Sequence, residues 1–211
     1  DTEVDYTFVS LHDPAGYAIE QGRIVSNRGL DSAVAAFGAH FREEQVAHST
    51  ALHGLTATGA PYVVGPLARY ANNSRQLTTK ARDFAATLGL PPVCRNPFKS
   101  ILVRMVETVF ACEEALRLCE SYEPPEPLRE PMRPRSGEGH GATEAPRGLC
   151  YHHYRMDEGG RVTAARIVPP TAQNQRQIEA DLGQVVAASL HLAPDALQWR
   201  CEQAIRNYDP C

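Results

Sequence analysis

The sequence predicts an α+β fold, mainly α, in which a long-helix bundle carries a small β-hairpin sheet. Three observations predict it. After Asn96 a long run places apolar residues at helical spacing. Five prolines between Pro124 and Pro134 then interrupt the chain. Beyond them, two strand-like runs flank Asp157-Glu158-Gly159-Gly160, a hairpin signal.

Taken in order, residues 1–24 alternate apolar and polar positions (Tyr6 and Phe8, Tyr17 and Ile19) around the turn residues Asp13, Pro14 and Gly16, which predicts short strands or extended chain. Asn27-Arg28-Gly29 marks a turn. Asp31 is placed to cap a helix through about Gln45, with Val34, Phe37 and Phe41 on one face. The Gly/Thr-rich stretch from His48 to Pro66 reads as irregular. Thr78 or Thr79 caps a helix that Gly89 ends. Asn96 caps the long helix and Pro97 suits its first position. That helix runs to about Ser121, and its apolar face is broad enough to be buried on more than one side. Arg104 and Glu107, one turn apart, read as an ion pair on its polar side. Residues 147–155 and 161–168 read as the strands, Gln175 to Leu192 as a helix with Asn174 as its cap, and Pro194 to Ile205 as the last helix. The expected organisation is a helical part over 1–123, a linker over 124–136, and a hairpin plus terminal helices over 137–211.

The 211 residues are 43% hydrophobic, enough for a core, and carry a net charge of −4. That balance gives no reason to expect nucleic acid as a partner. No window approaches the ~18 consecutive apolar residues of a membrane helix. The chain opens Asp1-Thr2-Glu3-Val4-Asp5, without a basic start, an apolar run or a Met, which predicts part of a longer cytoplasmic protein. The six cysteines, in no C-x-x-C pair, then read as reduced thiols, most of them small buried hydrophobes.

Three stretches invite chemistry. Gly137 to Gly148 carries several glycines that would let backbone approach something closely, and it ends with an Arg pinned by Pro146. Val168 to Asn174 leaves a strand and enters a helix with Thr171, Gln173 and Asn174 as hydrogen-bonding groups. The tail ends Tyr208-Asp209-Pro210-Cys211, and a thiolate is a soft donor suited to nickel, iron or copper. His152 and His153 point to opposite faces of a strand, so they cannot share a metal, and one is expected in the core. His48 and His53 are assigned to no metal.

Together these stretches resemble the large subunit of nickel-iron hydrogenases. Glu144-Ala145-Pro146-Arg147-Gly148 followed by Tyr151-His152-His153-Tyr154 is similar to that family's E-A-P-R-G…H-x-Y stretch. Ile167 to Asn174 resembles its next turn, as found in the NAD(P)-linked and sulfur-reducing branch. Asp209-Pro210-Cys211 is similar to the start of its terminal D-P-C-x-x-C-x-x-H motif. Arg23 to Leu30 and Val64 to Arg69 also look like that branch. The family's metals are held by two C-x-x-C pairs. This chain offers one thiolate of the four, so the resemblance implies the C-terminal portion of a subunit, inactive alone.

The resemblance implies a centre of nickel and iron carrying carbon monoxide and cyanide, with Cys211 as a terminal ligand of nickel. It places Pro170 and Thr171 against a cyanide and Pro146, Arg147 and Asp209 as a canopy over the metals. The implied reaction is heterolytic cleavage of dihydrogen. Arg147, with a pKa above ~12, is a poor base, so Cys211 reads as the first proton acceptor. The implied partners are a small subunit bearing iron-sulfur clusters and flavin subunits reducing NAD(P). A rival reading is a non-catalytic descendant serving as a structural subunit of a respiratory complex.

Overall fold

The computed structural model describes residues 3–127, 129, 131 and 133–210. Three small antiparallel sheets are present among them. The first joins β1 (Val9–His12), β2 (Arg23–Ser26) and β3 (Asp31–Ser32); the second joins β4 (Phe41–Glu44) and β5 (His53–Thr56); the third joins β6 (Gly137–Ala145), β7 (Gly148–Met156) and β8 (Val162–Val168). The helices are the single turn α1 (Phe37–His40), then α2 (Pro66–Asn73), α3 (Thr79–Thr87), α4 (Ser100–Glu120), α5 (Pro170–Ser189) and α6 (Pro194–Arg206). The class is α+β, as expected, with the strands spread over more sheets than the expected hairpin.

Local capping rules hold where they were applied to α3 and α4. The Thr78 hydroxyl accepts from the Ala81 N–H, and Gly89 closes α3 at φ +65°. Asn96 accepts from the Phe98 N–H, and a 3-10 turn over Pro97–Lys99 leads into α4. α6 begins at Pro194, where proline's fixed φ suits a first helical position.

The expected helix from Asp31 to Gln45 does not form. Asp31 pairs with Val25 in β3, its carboxylate 2.5 Å from the Arg23 Nε. Phe37 and Phe41 do both enter the core, so their i,i+4 spacing survives as the one turn of α1. The chain then extends because Phe41–Glu44 pairs with His53–Thr56 inside the stretch read as irregular. Ladder hydrogen bonds and packing of Phe37 on Tyr151 (4.1 Å between ring centroids) outweigh a modest helix propensity. α2 was not anticipated at all: Pro66 starts it and Asn72-Asn73 closes it, too short for a clear period.

Two cores organise the molecule. One packs Tyr6, Phe8, Leu67, Leu77, Val103 and Val106 between α2, α3, α4 and the N-terminal segment. The other packs Leu11, Ile24, Phe37 and Tyr62 against Ala142, Leu149, Tyr151 and Val168, and so draws on both sides of residues 124–136. The apolar face of α4 is not buried on more than one side. Only Ser100, Val103 and Val106 of that helix are buried, while Ile101, Met105, Leu116 and Leu118 are exposed. Its width was real, but neighbours cover one stripe of it here. Most of the cysteines are likewise not core residues: Cys94 is buried, Cys112 and Cys119 are exposed, and Cys150 and Cys201 are half-buried, all free thiols. Among the described residues no helix is long and apolar enough to cross a membrane.

Candidate active site

β6 and β7 form a hairpin whose register pairs Ala145 with Gly148. Pro146 and Arg147 are therefore the two residues at its tip. The glycine run before it is strand rather than tight loop, and Gly137, Gly139 and Gly141 face open space instead of a close neighbour. The close approach occurs at the tip. Gly148 has φ +131° and Gly65 has φ +104°, and a Cβ on either would come within 2.6 Å of the other segment's backbone. Only glycine lets the Val64-Gly65 turn and the hairpin tip cross at this distance.

Arg69 fixes the tip from beneath. It lies in α2, 4% exposed, and donates to both Glu107 oxygens (2.7 and 2.8 Å), to Glu144 Oε2 (3.0 Å), and to the carbonyls of Ala145 (2.8 Å) and Pro146 (3.0 Å). Glu144 also accepts from the Leu11 N–H at 2.8 Å, and Glu107 from the Tyr17 hydroxyl at 2.7 Å. Burial pushes the Glu144 carboxyl up to about 7, even against Arg69. Burial acts to lower the Arg69 pKa, but Glu107 and Glu144 override it and hold the guanidinium charged. Glu107 is thus the partner of Arg69, not of Arg104. The helical spacing that suggested an Arg104–Glu107 pair could not reveal a partner supplied by another helix.

Arg147 is half-exposed and reaches the C-terminal tail. Its Nε donates to the Asp209 carbonyl at 2.5 Å, and its Nη2 lies 3.2 Å from the Asp209 carboxylate. Arg104 approaches the same carboxylate at 3.3 Å. Two arginines thus share one carboxylate, which leaves a net positive charge at the tail. Asp209 itself has φ +48°, tolerable for an Asp. The tail is anchored behind it: the Tyr208 and Tyr6 hydroxyls both donate to the buried Asp181, and Ser100 donates to the Asn207 carbonyl at 2.7 Å. Burial, with the nearby Asp181 carboxylate, holds both phenols protonated well above their ordinary range. Cys211 lies outside the described residues.

Pro170 and Thr171 are half-buried in the first turn of α5, which starts five residues earlier than expected. Asn174 is therefore not a cap. It is buried inside the helix, its Oδ1 accepting from the Val64 N–H (2.8 Å) and its Nδ2 donating to the Val64 carbonyl (3.2 Å). Gln173 donates to the carbonyls of Leu149 (2.5 Å) and Val168 (3.1 Å). Asn174, Arg147, Arg104, Asn207 and Tyr208 line one crevice, so the α5 turn and the hairpin tip meet there. The structure brings Arg147 and Asp209 into direct contact, while Pro146 is exposed beside them and Pro170 and Thr171 lie one helical turn before Asn174. Asn174→Ala should cost about 2–3 kcal/mol in a denaturant melt, because it strips partners from two buried backbone groups. A loss below about 0.5 kcal/mol would show that the Val64 turn does not need the clamp.

Arg69, Glu107 and Glu144 are the positioning residues that sequence reasoning missed. Glu144 lay inside a quoted motif, and its inward position in an alternating strand was the available signal. His152 and His153 do point to opposite faces, bonding Tyr154 and Glu138 respectively, but neither enters the core.

No family model matches the chain. Its sequence is 29% identical over 197 residues to sulfhydrogenase 1 subunit alpha of Pyrococcus furiosus, covering 92% of this chain and 46% of the relative. It is 31% identical over 173 residues to sulfhydrogenase 2 subunit alpha of the same organism, covering 80% and 41%. Its fold matches a chain in the crystal structure of an NAD+-reducing [NiFe]-hydrogenase in the H2-reduced state, with a TM-score of 0.86, 21% identity, and coverage of all of this chain and 50% of that one. The α+β frame is therefore that of a hydrogenase chain, and the sequence relatives are hydrogenase subunits. The protein is a homologue of hydrogenase alpha subunits and spans less than half the length of the curated relatives it matches.

Proposed function

We propose that the chain is part of the catalytic large subunit of a cytoplasmic nickel-iron hydrogenase that cleaves dihydrogen reversibly and heterolytically. The observation that carries this reading is Arg147, fixed by the hairpin tip and by Asp209 two residues before Cys211. A cation pinned to the tail two residues before its one soft donor in sequence suits an anionic, thiolate-held centre. The described residues fit as surroundings for such a centre, and Cys211 is the thiolate this chain would add to it.

The nickel-iron centre, with carbon monoxide and cyanide on iron, would supply the Lewis acid that polarises dihydrogen. The protein's part is positioning and proton handling. Arg147 would turn its planar donor fork toward the centre. Asp209 holds that fork and is itself held by Arg104. Thr171 would hydrogen-bond a cyanide, Pro170 beside it would close the pocket wall, and Pro146 would seal the canopy beside Arg147. Cys211 would be the first proton acceptor. Electrons would leave through the iron-sulfur clusters of a small subunit and reach a nicotinamide-like acceptor through flavin-bearing subunits.

An infrared spectrum of the intact subunit, purified with its neighbours, tests this. Carbon monoxide and cyanide on iron should give bands where protein is nearly silent. With those bands kept, Arg147→Lys should lower turnover about 100-fold or more, because it retains the charge but loses the fork. Unchanged turnover would remove the guanidinium role. A fully matured preparation without the bands and without nickel would favour the structural descendant.

A further inference from the structure

A separate cluster, sharing no residue with the Arg147 crevice, joins the turn before β5 to α5. Glu179 Oε1 lies 2.7 Å from His48 Nε2 and 3.6 Å from His53 Nε2. The two imidazole rings are 5.8 Å apart and nearly perpendicular. One ligand atom from each residue falls within 4.8 Å of the others.

His53 is the telling member. It is 1% exposed, and neither ring nitrogen has a hydrogen-bond partner. Burying an imidazole with both nitrogens unmet costs free energy that a core position does not return. An apolar residue of similar size would fill this place without the penalty, so the ring calls for a partner other than a protein hydrogen bond. Its Nε2 is nearest to a carboxylate oxygen that already holds a second imidazole.

We propose that His48, His53 and Glu179 are the three protein ligands of a divalent zinc-class cation, with a fourth position open to water. Two imidazoles and one carboxylate suit zinc and its first-row neighbours, whereas calcium and magnesium favour oxygen ligands throughout. Bonds of about 2.1 Å require ligand atoms roughly 3.4 Å apart. His48, on an exposed turn, and Glu179, on a helix surface, can close that difference around a fixed His53. Arg176 is the competing cation, yet it is exposed and meets Glu179 at Oε2, 3.7 Å away, leaving Oε1 to the site. Bound metal would cross-link the β4–β5 turn to the helix whose first turn carries Pro170 and Thr171.

The cluster of Glu138, His140 and His153 provides the contrast. Its imidazoles stack in parallel at 4.3 Å, and both are already satisfied, His153 by Glu138 (2.7 Å) and His140 by Tyr151 (2.8 Å). It explains itself without an ion.

The test is a Co2+ titration of the chelator-treated subunit in its native complex, followed by Zn2+ competition. One equivalent of Co2+ should bind with nitrogen- and oxygen-type visible bands and be displaced by Zn2+. His48→Ala and Glu179→Gln, both at solvent-accessible positions and so safe for the fold, should each weaken binding at least about tenfold. His140→Ala should bind as the parent does. No uptake, uptake unchanged by both variants, or thiolate-type charge-transfer bands would overturn the proposal. None of these readouts depends on hydrogenase activity or on infrared bands from iron.

Discussion

Arg69→Leu lowers the stability of the fold by about 3–5 kcal/mol, the cost of leaving buried charge uncompensated. Leu can fill the volume but satisfies none of what Arg69 holds: two carboxylates and the carbonyls of Ala145 and Pro146. The loss also depends on pH in a definite direction. Burial already puts Glu144 at about 7 rather than its ordinary 4.5, with Arg69 pulling it down. Without Arg69 the carboxyl rises further. An acid whose folded pKa exceeds its unfolded one binds its proton more tightly when folded. The stability it contributes is therefore present at low pH and lost as pH rises through the folded pKa. Melts of parent and variant should differ more above pH 7 than below it. A difference that shrinks with rising pH, or a loss under about 0.5 kcal/mol, would show that Arg69 does not carry the network. Adding Glu144→Gln should recover part of the loss, since it removes one stranded charge.

Gly148→Ala should cost about 2–6 kcal/mol. A side chain at φ +131° carries a backbone strain of order 1–3 kcal/mol. Its Cβ would also meet the Gly65 nitrogen and Val64 Cγ2 at 2.6 Å, and forcing such an overlap adds about 1–3 kcal/mol more. Because the overlap involves backbone on both sides, relief must come from moving the hairpin tip, and Arg147 moves with it. Gly137→Ala in the same strand pair is the control: its Cβ would meet nothing, and its melt should match the parent within about 0.5 kcal/mol. Equal stability of the two variants would mean that the crossing of residues 64–65 and 147–148 is looser than its geometry.

α3, α4, α6 and the β7–β8 hairpin could be read from the sequence because each is specified locally. Thr78, Asn96, Pro194 and Gly89 act within one turn of themselves, and the Asp157–Gly160 turn sits between strands that pair with each other. β3, β4 and β5 escaped because their partners stand outside the window that periodicity samples. Asp31 looks the same to a local rule whether it caps a helix or pairs with Arg23. α5 was found but begun too late, since Asn174 resembles a cap until Val64 is seen to lie against it.

The candidate site divides along the same line. Resemblance to a family's motifs, not composition or periodicity, singled out Pro146, Arg147, Pro170, Thr171, Asp209 and Cys211, two of them in one family-like tail. The resemblance implied that a carboxylate such as Asp209 holds Arg147, and the two do meet, but only the fold shows how residues 62 positions apart are brought together, by α5, α6 and the Asp181 anchor. No spacing rule could place Arg69 under the hairpin tip or His53 against Glu179. Local capping and turn chemistry are short-range and survive in the linear code. Pairing of buried charge and unmet imidazole nitrogens is defined only once burial removes water, and burial belongs to the folded chain.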